Sequence, residues 1–555
     1  MVFNSGTGIT DHIDMLDKLI EVITSRNLTA VAINAGGTGH AIGDVIEITA
    51  TGATSTIVAQ LEVTTLSGSV ISGIRIYRGG AYTVDPTTIV ANPQSATSGS
   101  GTGATFDLTF SAATWAVNRR SQQAASAAIG TAGTGYTVGD VLTVVDGSAG
   151  VRGDGDAAGT VASAATFTVA TISGGGGTGP VASVTLATEG NYEETPTNDA
   201  TVTGGTGTAC ELTVTYEDPP QTDSDFQVAM LQGEGLAGAD EIHVAIKAYT
   251  QASGFDFAFN WGLYGTTGYS STLPLHQQLG INADQINTST GALPAADNGS
   301  YLVLKNNDAD PDMAWWIHHN GRRIVIVVRV EGSSTVQYSS AYMGFVNQLA
   351  TSTEYPYPLL VGSGTNDKNR LWTEVSLLSG GIVESIQNAT ADPLGPLYLK
   401  YPDGNWRAHT STGSSSAVNR GLETEWGVYP FMNPGQIGAP KQIVSNTTRL
   451  GYAFGTKPLI PVSGVPGTET VLLKPTPGTG SDYYRLVQPV LIQAESGGAP
   501  LLYKMLGEID GVFWFNRGNN AIVSEDRMEL GTERYLIFQN GNRTQNWSYF
   551  ALNED

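Results

Sequence analysis

Gly36-Gly37-Thr38-Gly39-His40-Ala41-Ile42-Gly43-Asp44-Val45 returns as Ala132-Gly133-Thr134-Gly135-Tyr136-Thr137-Val138-Gly139-Asp140-Val141, and this repeat decides how the chain is read. Two further landmarks return in the same order. Gly79-Gly80-Ala81-Tyr82 with Pro86 comes back as Glu189-Gly190-Asn191-Tyr192 with Pro196, and Gly101-Thr102-Gly103 before Phe106-Asp107-Leu108-Thr109 as Gly205-Thr206-Gly207 before Cys210-Glu211-Leu212-Thr213. Gly39 to Gly135 is a shift of 96 and Tyr82 to Tyr192 a shift of 110, so the second copy carries 14 extra residues between these landmarks. The Gly/Asp/Ala-rich stretch 147–160 is the expected place, because loops accept insertions that strands do not.

Each copy holds alternating segments bounded by glycine, such as Val45-Ile46-Glu47-Ile48, Ile74-Arg75-Ile76-Tyr77, Phe167-Thr168-Val169 and Val181-Ala182-Ser183-Val184. Alternation of period two with turn residues between predicts small β modules. The Gly-Tyr pairs read as turns in which glycine supplies a positive φ and the aromatic covers the module's edge. Neither Gly-x-Gly is followed by a helical pattern or by Gly-Lys-Ser/Thr, so these loops are not read as phosphate cradles.

Outward from the repeats, residues 11–28 form an amphipathic helix: Ile13, Leu16, Leu19, Ile20 and Ile23 recur at helical spacing, with Thr10 or Asp11 as cap. Its stripe must pack on its own domain or on another subunit. Trp115-Ala116-Val117-Asn118-Arg119-Arg120 interrupts the Gly/Thr texture, and Asp218-Pro219-Pro220 closes the second copy. Eight of the nine tryptophans follow residue 220, which places the large cores in the C-terminal part. The fold is therefore expected to be mainly β, with a short N-terminal helix, two duplicated small β modules and a larger β-sandwich-like C-terminal region. The divisions are 1–28 (helix and assembly segment), 29–111 (module 1), 112–123 (connector), 124–217 (module 2), 218–400 and 401–555 (β domains).

Composition limits the function. With 27 Lys+Arg against 51 Asp+Glu, the net charge of -24 repels nucleic acid, and no segregated basic patch is visible. The sole cysteine, Cys210, excludes internal disulfides and thiolate cages and reads as a small buried hydrophobe. No run approaches the ~18 apolar residues of a membrane helix, and Met1 to Gly8 lacks the pattern of a signal peptide, so a cytosol-like setting for synthesis is expected.

Signals of chemistry are weak. Asp308-x-Asp310-x-Asp312 opens like a calcium loop but lacks the closing Glu, and Pro311 stiffens it, so it reads as a polar turn. Arg152-Gly153-Asp154 is an adhesion-type tripeptide in a composition that produces such triplets by chance. His318 and His319, adjacent on a strand, point to opposite faces and flank a hairpin at Asn320-Gly321. His12, His40, His243, His276 and His409 form no ligand spacing. No Gly-x-Ser-x-Gly elbow is present, while a carboxylate pair meeting only in the fold stays open. The expectation is no enzyme, with no catalytic, cofactor-binding or metal-site residues.

From about residue 232 a succession of aromatic-rich phrases resembles a family of virion structural proteins of tailed bacteriophages. It runs through Gly233-Glu234-Gly235-Leu236, Phe259-Asn260-Trp261, Gly265-Thr266-Thr267-Gly268-Tyr269, Asn320-Gly321-Arg322-Arg323-Ile324-Val325, Ser340-Ala341-Tyr342-Met343-Gly344-Phe345 and Glu354-Tyr355-Pro356-Tyr357-Pro358-Leu359. Glu508-Ile509-Asp510-Gly511-Val512-Phe513-Trp514 and Tyr535-Leu536-Ile537-Phe538-Gln539-Asn540 complete it. Leu16-Asp17-Lys18-Leu19 also resembles this family, and the Gly-Thr-Gly-Tyr modules resemble β repeats of phage tail, fibre and decoration proteins. The resemblance implies a non-catalytic virion component, assembled in the host cytoplasm, whose 218–400 region is a β domain of the virion-protein type. It acts in the tail, baseplate or appendages through contacts with other virion structural proteins. A receptor-binding or glycan-degrading spike or fibre, with a host surface glycan or receptor as partner, is the alternative, and a head decoration or collar protein a further one.

Read as physics, Arg322-Arg323 begins a strand whose run Ile324–Val328 is buried on both faces, and the prolines of 355–358 forbid a central strand. The rings of that segment pack on a neighbour or on the chain's own surface. An exposed helix, extended Pro-aromatic segments and many strand edges together predict a homo-oligomer.

Overall fold

The computed structural model describes residues 2–144, 164–190, 192, 200–217, 227–235, 241–253, 256–271, 273–282, 286, 300–305, 311–331, 336–363, 397–409, 428–429, 485–487, 490–495, 502–516, 522–531, 533–539 and 549–554. The fold is mainly β, as the alternation of β-branched and polar residues predicts, and its sheets are antiparallel.

Ile324 to Val328 explain the architecture. All five are fully buried, because the strand Arg323–Glu331 is the third of a seven-stranded sheet covered on both sides. Ile324, Ile326 and Val328 face one core, and Val325 and Val327 face another. Each such side chain contributes about 1.5–3 kcal/mol when buried. The first core lies against a five-stranded sheet whose order is Trp115–Arg120, Gln227–Gly233, Ile242–Ser253, Asp256–Thr266, Tyr301–Val303. The second is completed by Leu506, Phe538, Phe550 and Leu552 from the C-terminal sheets. These layers are the body of the molecule.

The edge of the seven-stranded sheet is the chain's first strand, Val2–Ile9, paired with Met313–Asn320. The edge of the five-stranded sheet is Trp115–Arg120, from the interruption between the repeats. Modules 1 and 2 are thus excursions from the body: the chain leaves it after the helix, returns for Trp115–Arg120, leaves again, and returns at Gln227–Gly233. The hairpin Leu397–Lys400 with Trp406–His409, which spans residue 401, ends the seven-stranded sheet.

The helix is His12–Thr24, capped by Asp11, whose carboxylate accepts from the amides of Ile13 and Asp14 at 2.8 Å each. Contrary to the expected exposure, its apolar stripe is buried in its own chain. Ile13, Leu16, Leu19, Val22 and Ile23 enter the core between the two large sheets, and the Trp261 indole donates to the His12 carbonyl at 2.8 Å. A thirteen-residue helix is marginal alone, so this packing is what holds it.

The modules are six-stranded sheets of one topology. Module 1 runs from Asn27–Thr38 to Thr102–Ser111, and module 2 from Gln123–Thr134 to Thr208–Glu217. Their registers slip at the same places: Gln60 opposes Arg78 and Leu61 opposes Ile76, while Thr166 opposes Thr188 and Phe167 opposes Leu186. Each sheet curls until its end strands meet. The Leu28 amide donates to Gly79 and that of His40 to Ser69; in module 2, Ala124 donates to Glu189 and Tyr136 to Gly179. Closure removes the strand edges that the sequence suggested would need a partner. Each module has its own core, around Leu61, Tyr82 and Phe106 or around Phe167, Tyr192 and Leu212.

Gly80 and Gly190 take positive φ, as the turn reading requires. The tyrosines that follow do not cover an edge, however. Tyr82 and Tyr192 are fully buried, and their hydroxyls accept from the amides of Ala59 and Ala165 at 2.7 Å, satisfying donors that would otherwise be unpaired inside the barrel. Burial pushes the Tyr82 phenol up to about 12.

Candidate functional site

Two neighbouring strands of module 1, Gln60–Ser67 and Val70–Arg78, place Glu62, Arg75 and Tyr77 at outward positions, where strand alternation leaves them free of the barrel core. They meet the strands Arg527–Leu530 and Glu533–Gln539 of the C-terminal sheet. Arg75 donates to Glu62 at 3.1 Å and lies 2.5 Å from Glu529; Arg534 bonds Glu62 and lies 2.6 Å from Glu554. Arg527 donates to the Tyr77 hydroxyl at 3.0 Å, stacks over its ring at 4.3 Å, and pairs with Glu554 at 3.0 Å. Arg534 is 2% exposed, and burial opposes its charge strongly enough to lower its pKa despite Glu554 and Glu62. Module 1 is fastened again at the first strand. Asn4 donates to the Gly80 carbonyl and accepts from its amide, and Arg78 donates to the Ser5 carbonyl.

The matching register in module 2 carries different chemistry. Val45 opposes Glu62 and Glu62 opposes Arg75, whereas Val141 opposes Thr168 and Thr168 opposes Thr185. Glu62 and Arg75 therefore correspond to Thr168 and Thr185, and Tyr77 to Ala187. Thr185 and Ala187 are exposed and Thr168 is half-buried. Module 2 is joined to the body at its root, where the Ser121 amide donates to Val228 and the Ser121 hydroxyl accepts from the Val228 amide, both at 2.9 Å.

At the tip of each repeated loop a branched apolar side chain stands in solvent: Ile42 is 67% exposed and Val138, its counterpart, 61%. The loop beneath is held by an aspartate. The Asp140 carboxylate accepts from the amides of Thr137 and Thr206 at 2.9 Å each, and these bonds hold its pKa well below the usual range. Asp44 accepts from Ala41 in the same way.

In the body, Arg323 is fully buried and pairs with Asp510 at 2.7 Å, with Asn347 donating to the other oxygen at 3.0 Å. Burial, the largest single influence, would raise Asp510, but Arg323, Asn347 and Arg322 together outweigh it and keep the carboxyl below its ordinary range. This pair ties the central sheet to the C-terminal layer. His318 and His319 alternate across the strand Met313–Asn320 next to the hairpin turn, both buried. Burial lowers both, His319 to about 3, so they are neutral core residues. His12 is likewise lowered by burial to about 3.

The other residues singled out in the sequence are scattered. Cys210 is buried in the module 2 core. His40 is buried beside Gly101 where Tyr136 lies beside Gly207, and His243 stands 3.5 Å from Glu241. His276 is buried in a short 3-10 turn, and His409 lies on a strand of the central sheet. Asp312 is exposed, whereas Asp308, Asp310, Arg152-Gly153-Asp154 and the stretch 147–160 lie outside the described residues. The rings of Tyr355 and Tyr357 pack on their own chain: the Tyr355 hydroxyl donates to Lys400 at 2.5 Å and that of Tyr357 to Thr266 at 2.9 Å. Among the described residues, no three His, Cys, Asp or Glu side chains group as metal ligands.

The groups brought together are thus a charged contact between module 1 and the C-terminal sheet, and an uncharged counterpart on module 2. Sequence reasoning found the repeat but missed this contact, whose signal was the difference between the copies at Glu62, Arg75 and Tyr77. No family model matches the chain, and no curated protein matches it.

Proposed function

We propose that the chain is a non-catalytic structural component of a tailed-phage particle, in the tail, the baseplate or their appendages, working through protein contacts with other virion proteins and with copies of itself. The observation that carries this reading is the use of one barrel twice on a single layered body, once fastened through Glu62, Arg75 and Tyr77 and once joined at its root. A duplicated module of this kind suits spacing and contact-making. Supporting it, buried arginines act as fasteners between parts of the fold, as Arg323–Asp510 and Arg534–Glu62 do. The phage-like phrases in 232–555 supply the particle.

A receptor-binding role is the second reading, favoured by Ile42 and Val138 exposed at the same position of the two modules. The test is to purify particles made from the encoding genome and label them with an antibody raised against module 2. The proposal expects a fixed number of labels at one place on the particle. Absence from particles would overturn it, and shortened host polysaccharide after incubation with the pure chain would replace it with the glycan-degrading spike.

A further inference from the structure

The strands Val141–Val144, Thr166–Ile172 and Val181–Thr188 of module 2 contain no Asp, Glu, Lys or Arg, in a chain of net charge -24. Their module 1 counterparts carry Glu47, Glu62, Arg75 and Arg78. From this difference we infer that the threonine face of module 2, centred on Thr143, Thr168 and Thr185, is a self-contact that joins two copies of this chain face to face.

Five observations lead to a second copy as the occupant. The same face of the same fold is already a docking face in module 1, where it sits on a β-sheet of the body, so the geometry of this barrel admits sheet-on-sheet contact there. The body's complementary surface, with Arg527, Glu529 and Arg534, is occupied by module 1 and is charged, so it does not suit a threonine face. Two acidic chains repel over most of their surfaces, and an uncharged face is where they approach at least electrostatic cost. Hydroxyls around the centre of the face are already paired, Thr166 with Thr188 at 2.7 Å and Thr171 with Ser183 at 2.5 Å, and the Thr185 hydroxyl donates to the Thr168 carbonyl at 3.5 Å. Covering paired hydroxyls costs less than covering unpaired ones, and cross-strand threonine pairs stabilise the strand pairing. A glycan would be met by aromatic rings, and these strands display none, since Phe167 is buried in the barrel. A face meeting its own copy forms a twofold, closed contact.

The test uses the full chain in sedimentation velocity and light scattering. The wild type is expected above monomer mass. Thr143→Glu with Thr168→Glu places like charges across the contact and is expected to lower the mass by roughly half if the contact is a dimer. The fold should accept both changes, because module 1 holds Glu47 and Glu62 at these positions. The variant Thr143→Lys with Thr168→Lys is expected to be monomeric alone and to reassociate when mixed with the glutamate variant. A monomeric wild type, a glutamate variant of unchanged mass, or a mixture that stays monomeric would each overturn the inference. Should circular dichroism show the glutamate variant unfolded, Thr185→Arg, which copies Arg75, takes its place with the same readings. The inference rests on the duplication and not on the particle, so its failure leaves the particle-labelling result untouched.

Discussion

Modules 1 and 2 have the same strand order, the same register slips and the same buried tyrosine, yet they stand in different relations to the body. At three aligned outward positions module 1 has Glu, Arg and Tyr, and module 2 has Thr, Thr and Ala. Outward residues on a closed barrel are free of the core, so they can change without cost to the fold. The comparison teaches that the barrel is set by inward residues and glycines, and its relation to the rest of the molecule by a few outward ones.

The severest way to break the comparison is excision. Removing 27–111 should abolish folding, because it uncovers the edge strand Val2–Ile9 and leaves Arg527, Glu529 and Arg534 without their module partners. Replacing 123–226 by Asn-Gly should leave a soluble body. Arg120 opposes Ala229 across the antiparallel pair, so Gln122 and Gln227 stand where a two-residue hairpin joins strands. Its melting temperature should stay within about 4 °C of the parent's, the upper end of the shift that roughly 1 kcal/mol produces in domains of about 150–250 residues, smaller than this body. A soluble protein without module 1, or an aggregated one without module 2, would reverse the assignment.

A single substitution should show the same asymmetry. Arg534→Met removes a buried charge facing Glu62 and Glu554, and chemical denaturation should report a loss of about 1.5–3 kcal/mol, the worth of its charged hydrogen bonds, because Glu62 keeps Arg75 and Glu554 keeps Arg527. Thr168→Val, at the position matching Glu62, should change stability by less than about 0.5 kcal/mol.

Acid should separate body from module 2, which contains no histidine. His12, His318 and His319 are neutral in the folded body, because burial holds their pKa values far below 6.5. The unfolded chain binds those protons near pH 6.5, so the body is unpenalised above that pH and loses stability as pH falls below it, by about 1.4 kcal/mol per pH unit for each such histidine. Calorimetry from pH 7 to pH 4.5 should show the body's transition moving down while that of module 2 stays within a few degrees. His319→Gln should shallow the body's slope.

The smallest difference between the modules should lie at their buried tyrosines. Tyr82→Phe and Tyr192→Phe each leave a buried amide, of Ala59 or Ala165, without its acceptor. Each should cost about 1–3 kcal/mol and cost its own module the same amount. Unequal losses would show that the two cores differ more than their registers.

Much of this was legible in the sequence. The duplication was, because Gly37, Gly39, Gly133 and Gly135 take positive φ, which few other residues adopt, so the copies still share them. The double burial of 324–328 was legible because an apolar run without alternation fits a strand covered on both faces. The helix stripe could be seen, but what covers it could not: Trp261 lies 249 positions from the His12 carbonyl it meets. For the same reason Trp115–Arg120 read as a connector although it is an edge strand of the body, its partner lying beyond a whole module. The module 1 contact joins Glu62 to Arg534 across 472 positions, and no local pattern encodes such a pairing. It is visible only once the register shows which side chains point outward.

Whether module 1 belongs to the body while module 2 is a separable unit is tested most directly by hydrogen exchange, read by mass spectrometry near the body's melting temperature. Amides of 60–78 in module 1 are expected to lose protection together with those of 324–345 in the body, while those of 166–188 in module 2 exchange independently. Module 1 exchanging in step with module 2, and apart from the body, would contradict it.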